Sequence, residues 1–133
     1  MRYILFLSVL FSMALNTSAQ SVKTAPLPPP VYVIMRDSTT SIDIVYLQGA
    51  GGSMSVDGKN VHIFNSFFEN ETAQKSSAAA TGMIMWQING REYLSGNFYL
   101  GDSTGYVVVN RNGKEYVNRI NNQGNSFFKS HIK

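Results

Sequence analysis

The chain is 133 residues long, 44% hydrophobic and 14% charged, with a formal net charge of +3 and no cysteine. That length suits one folded domain. The absence of thiols excludes disulfides, thiol nucleophiles, thiolate metal sites and a cysteine-borne lipid anchor, and so mild a charge gives no ground for a nucleic-acid partner, which calls for a clustered basic face.

The first stretch reads as a segment apart from the domain. Arg2 precedes an apolar run from Ile4 to Leu15, and small residues follow at Thr17 and Ala19. This is the charged, apolar and small-residue order of a secretory signal peptide, residues 1–19, cleaved after Ala19 to leave Gln20 at the new terminus. The apolar run is shorter than the roughly 20 residues a bilayer span takes, so no transmembrane segment is expected in the mature chain. With no lipobox cysteine, the expected location is the bacterial periplasm or the outside of the cell.

Residues 20–30 hold all four prolines. Such a run favours extended polyproline II geometry and is expected to form a semi-rigid tether. Residues 31–133 then read as a single β-rich domain. VYVIMR (31–36) is β-branched and aromatic, and predicts a strand that is apolar on both faces. A strand of that kind needs cover on both sides, from its own domain or from a partner. Val31, Tyr32, Val33, Ile34 and Met35 are therefore candidate partner-binding residues.

SIDIVYLQ (41–48) predicts a second strand, broken by the flexible glycines of GAGGS (49–53). SMSV (53–56) and NVHIF (60–64) flank Asp57-Gly58-Lys59, which predicts a hairpin. Ser66 and Glu69 have the spacing of a capping box, and ETAQKSSAAA beyond them predicts a short helix near 67–77. Five closely spaced strands are expected after it: MIMWQI (83–88), REYLSGNFYL (91–100), YVVVNR (106–111), KEYVNRI (114–120) and NSFFKSHI (125–132). Strands joined by such short turns must be antiparallel neighbours. The predicted fold is mainly β, a small antiparallel barrel or sandwich of about 8–9 strands with one short helix.

A phrase recurs within this meander. NGREY begins at Asn89 and NGKEY at Asn112. Asn-Gly in a two-residue loop predicts a type I′ turn, which needs positive φ at both central residues. Counting back from the tips sets Tyr93 opposite Trp86 and Tyr116 opposite Val109, so the phrase reads as a turn plus its first packing pair. Its other reading is a rim that touches a ligand, with Arg91, Tyr93, Lys114 and Tyr116 as candidate partner-binding residues.

Chemistry-bearing patterns are scarce. His62 lies between Val61 and Ile63 and reads as an exposed strand residue, and His131 sits near the C-terminus. No serine lies in a G-x-S-x-G elbow, GAGGS lacks the ending of a P-loop, and no ligand spacing marks a metal site. No cofactor is expected. Asn70-Glu71-Thr72 fits the N-glycosylation triplet, while Asp37-Ser38-Thr39 and Asp102-Ser103-Thr104 resemble a short acceptor pattern for O-glycosylation. The expected function is a non-enzymatic exported protein-binding module, such as an accessory subunit of a pilus, secretion or other envelope assembly, with another envelope protein as its partner. Alternatives are a small secreted hydrolase acting on glycans through paired carboxylates, a secreted enzyme inhibitor, or a closed barrel carrying a small apolar ligand.

Overall fold

Alternation of side chains builds the sheet. Strand β1 (Ser41–Tyr46) buries Ile42, Ile44 and Tyr46 and turns Asp43 and Val45 the other way, the period of two that a strand with one buried face requires. A computed structural model describes residues 23–132. The expected signal peptide (1–19) and tether residues 20–22 lie outside the described residues. Five more strands follow: β2 (Ser53–Asp57), β3 (Gly82–Ile88), β4 (Arg91–Leu100), β5 (Gly105–Arg111) and β6 (Lys114–Ile120). They form one six-stranded sheet in the order β2-β1-β3-β4-β5-β6, and every neighbouring pair is antiparallel.

The protein is thus mainly β, but the sheet is open. The end strands β2 and β6 do not pair, so there is no barrel, and the strand count falls short of the predicted 8–9. Three helices, rather than one, are present among the described residues: α1 (Pro29–Ser38), α2 (Asn60–Asn65) and α3 (Asn122–Ser130). They supply what a second sheet of a sandwich would have supplied, a cover for the buried face. Met35 of α1, Val61 and Phe64 of α2, and Phe128 of α3 join Ile42, Ile44, Ile84, Trp86, Leu94, Phe98, Val107, Val109 and Ile120 in one core.

Each helix corrects a predicted strand or turn. Val31–Met35 lies in α1. Pro29 and Pro30 occupy its first turn, where a helix needs no amide hydrogen and a fixed φ helps. The apolar run then divides by helical period: Met35 is buried, Val31 and Tyr32 are half-buried, and Val33 and Ile34 are exposed. NVHIF lies in α2. Gly58, at φ 59°, ends β2 and turns the chain into the helix instead of into a hairpin. NSFFKSHI lies mostly in α3, where Asn121 caps the helix by accepting a hydrogen bond from the Gly124 amide at 2.9 Å. The β1–β2 hairpin is made instead through residues 47–52.

The helix expected near 67–77 is also absent. Phe68 lies in the main core with Phe67 packed against it, and the residues after them run irregularly to the far face of the sheet. Only Ala73 of this segment packs on the small second cluster of Tyr106, Val108 and Val117, too little to hold a helix by an apolar stripe. The segment is anchored by hydrogen bonds instead, with the Ser76 amide donating to the Tyr106 hydroxyl at 2.9 Å.

Candidate functional site

The two ends of the sheet differ. Along β6, the Val117 amide donates to the Ala25 carbonyl at 2.8 Å, the Arg119 amide to the Glu71 carbonyl at 2.8 Å, and the Glu69 amide to the Arg119 carbonyl at 2.9 Å. Asn118, buried among them, accepts from the Leu27 amide at 2.8 Å and donates to the Glu69 carbonyl at 2.9 Å. So residues 23–28, expected to form a tether apart from the domain, are docked onto it with Leu27 buried, and Pro29 and Pro30 of the same stretch begin α1.

Along β2 the same kinds of groups are open. The Tyr46 amide donates to the Gly52 carbonyl at 2.9 Å, which fixes 46 and 52 as a hydrogen-bonded pair. Antiparallel pairs alternate, so Ile44 with Met54 and Ile42 with Val56 are the next such pairs. The N–H and C=O groups of Ser53, Ser55 and Asp57 therefore point away from the sheet. None has a hydrogen-bond partner among the described residues.

A groove of about 360 Å³ runs beside this edge, lined by Met54, Ser55, Val56, Asp57, Asn60, Ile63, Phe64, Phe67 and Phe127. Four consecutive strand residues line it. Successive side chains point to opposite faces, so the groove follows the flank of β2 and does not sit over one face. Its floor is aromatic: Phe64 meets Phe67 and Phe127 at centroid distances of 5.5 and 5.7 Å. Ile63, 61% exposed, forms part of its rim. Asp57 is the only acid in the lining.

The predicted binding residues fall in two separate places. Tyr32 is tied inward, its hydroxyl donating to the Phe68 carbonyl at 2.8 Å. Burial raises its pKa, and the Arg36 charge beside it opposes that shift. Only Val33 and Ile34, each 41% exposed, present apolar surface from the predicted run. At the hairpin tips, Asn89 and Asn112 adopt φ 50° and 52°, and Gly90 and Gly113 adopt 80° and 76°, the positive values a type I′ turn needs. Tyr116 faces Val109 as predicted. Tyr93 does not face Trp86: an irregularity between Trp86 and Gln87 pairs Trp86 with Leu94. Freed from that pairing, Tyr93 receives Arg111, whose Nη1 donates to its hydroxyl at 3.3 Å and whose guanidinium carbon lies 5.3 Å from the ring centroid. The Lys114 ammonium lies 5.6 Å from the Tyr116 ring, and Arg91 is exposed. No hydrogen bond or ring contact joins α1 to either tip among the described residues.

Most acids already have a partner. Asp43 accepts from Ser55 at 2.6 Å and from Gln87 at 2.9 Å. Asp37 pairs with Arg36, which lowers its pKa. Glu115 pairs with Lys75, and Glu69 and Glu71 flank Arg119. Asp43 and Glu92 line a shallow depression with Val45, Met83, Met85 and Ser95. They stand two strands apart, about 10 Å at sheet spacing, and Gln87, bonded to Asp43, faces Glu92 across the pair. His62 is exposed on α2, and His131 is exposed just beyond α3. Asn70 accepts from Asn118 and Thr72 donates to Thr24, so the glycosylation triplet is built into the β6 cover. No group of three or more potential metal-ligating side chains occurs among the described residues, and no helix among them is long and apolar enough to cross a membrane.

Ser53, Ser55 and Asp57, with the groove beside them, were not singled out in the sequence. SMSV is short and chemically plain, and the groove takes its floor from helices α2 and α3, both in segments that read as strands. Comparison of the chain with protein-family models, curated proteins and solved structures finds no match.

Proposed function

We propose that this chain is a non-enzymatic exported protein that binds another envelope protein, with the β2 edge and its groove as the docking surface. The observation that carries this is the unpaired main chain of Ser53, Ser55 and Asp57 beside an aromatic groove. An open edge accepts an added strand through main-chain hydrogen bonds, while alternate side chains of the incoming strand select pockets. Edges that must stay unpaired are blunted by lysine, proline, a bulge or an inward charge. Beyond its shortness, β2 carries none of these within Ser53–Val56. The incoming strand is an extended segment with apolar side chains toward Phe64, Phe67 and Phe127. Val33, Ile34 and the two tips are secondary surfaces in this scheme.

The test is recovery of partners from an envelope fraction with the purified protein, wild type against Ser55→Pro. Proline removes an outward amide and is tolerated on an edge strand. The variant is expected to keep its circular dichroism and lose the partner. Equal recovery by both proteins would move the docking surface elsewhere.

A further inference from the structure

The same edge is complementary to itself. We propose that two copies of this chain pair antiparallel along β2, about a two-fold axis at Ser55, and so join their sheets into one. The inference rests on the reading of β2 as a docking edge; in the dimer a second copy holds the edge that an envelope partner would otherwise take.

The register follows from the outward groups. Within β2, Ser53, Ser55 and Asp57 are the residues that offer main-chain groups to a neighbour. An axis at Ser55 sets Ser55 against Ser55 and Ser53 against Asp57 of the second copy, so every outward residue of both copies is matched. Each such pair exchanges two hydrogen bonds, about six in all. An axis at Asp57 would set two carboxylates directly opposite one another, which destabilises a sheet, and an axis at Ser53 would leave Asp57 outside the strand pairing. Met54 then meets Val56 of the second copy in the closely spaced, non-hydrogen-bonded position. Both side chains lie on the core face, beside the aromatic floor of the groove, and are half-buried. The axis therefore brings two grooves together, and the exposed Ile63 at each rim gains apolar cover.

Sedimentation equilibrium over a range of concentrations reads the association. The wild type is expected to pass from monomer to dimer as concentration rises, and Ser55→Pro to remain monomeric while still unfolding in one cooperative thermal transition. The register has its own signature. Ser53→Lys sets an ammonium opposite Asp57 of the second copy, twice per dimer, and is expected to tighten association by about two- to thirty-fold; Ser53→Asp is expected to weaken it by a similar factor. A wild type that stays monomeric at all concentrations overturns self-pairing, as does a dimer indifferent to both Ser53 changes. Recovery of an envelope partner by a monomeric protein leaves the proposed function standing without this inference. A dimer with the predicted Ser53 pattern and no recovered partner leaves the inference standing alone.

Discussion

The two edges of the sheet show how one chain treats the same problem in opposite ways. At β6, segments from both the start and the middle of the described chain cover the strand, and Asn118 ties them together from within. At β2 nothing among the described residues does so, although the outward groups are chemically the same. A covered edge in this protein thus takes two irregular segments, three main-chain hydrogen bonds and a buried side-chain amide. The open edge shows what a partner has to bring, and its groove shows where the apolar part of that partner goes.

The largest expected effect falls at the covered edge. Asn118→Ala leaves the Leu27 amide and the Glu69 carbonyl without their partner, and unpaired buried groups are costly. Thermal or urea unfolding is expected to record a loss of about 2–4 kcal/mol; a loss below ~0.5 kcal/mol would mean that the cover does not stabilise the fold. Next comes Tyr46, which holds the open-edge half of the sheet to α3. It is 6% exposed, and its hydroxyl donates to the Phe128 carbonyl at 3.4 Å. Burial pushes its pKa up from 10.0 to about 12. The folded state therefore favours the neutral phenol. This contribution is complete below pH 10 and is lost as pH rises toward 12, by at most about 2–3 kcal/mol. Stability of the wild type measured across that window should fall by this amount more than that of Tyr46→Phe.

The hairpin tips should not share the asymmetry of the edges. Asn89→Ala and Asn112→Ala each put alanine at positive φ, and each is expected to cost about 1 kcal/mol. Equal losses would mark the two tips as one device used twice, whereas a difference beyond ~1 kcal/mol would place a further role at one of them. The smallest effect belongs to the open edge itself. Ser55→Pro is expected to change stability by less than about 1 kcal/mol, since the amide it removes has no partner in the protein and only the exposed hydroxyl bond to Asp43 is lost. A large loss would show that the outward side of β2 is already paired within the chain.

Local chemistry carries the parts of this fold that could be read in advance. The Asn-Gly turns force positive φ wherever they occur, so β3 to β6 and the pairing of Tyr116 with Val109 follow from sequence. The shift at Trp86 left no such mark, and the contact that Tyr93 makes with Arg111 comes from the neighbouring strand. Short apolar runs are ambiguous between strand and helix. VYVIM, NVHIF and NSFFK all resolved toward helix because a single sheet had one face to cover and no second sheet to cover it. The prolines before Val31 were also a helix-start signal, as was Asn121 three residues before Gly124. The docking edge was the least legible part, since an edge is defined by which strand ends the sheet, and that emerges only from the whole topology.

The cover on β6 also has a consequence for the order of events in folding. Leu27 and Asn118 are separated by 91 positions, whereas β3 to β6 are joined by tight turns. Contacts between near neighbours form fast, and distant ones wait on the closure of long loops. The meander can therefore assemble while residues 23–28 are still free, and at that stage its last strand lacks the part of its cover that Ala25 and Leu27 supply. The described residues that leave the ribosome first are the ones that settle last. Until they return to β6, the young protein has a second, partly open side, and the rate of that closure sets how long it is exposed to unwanted company.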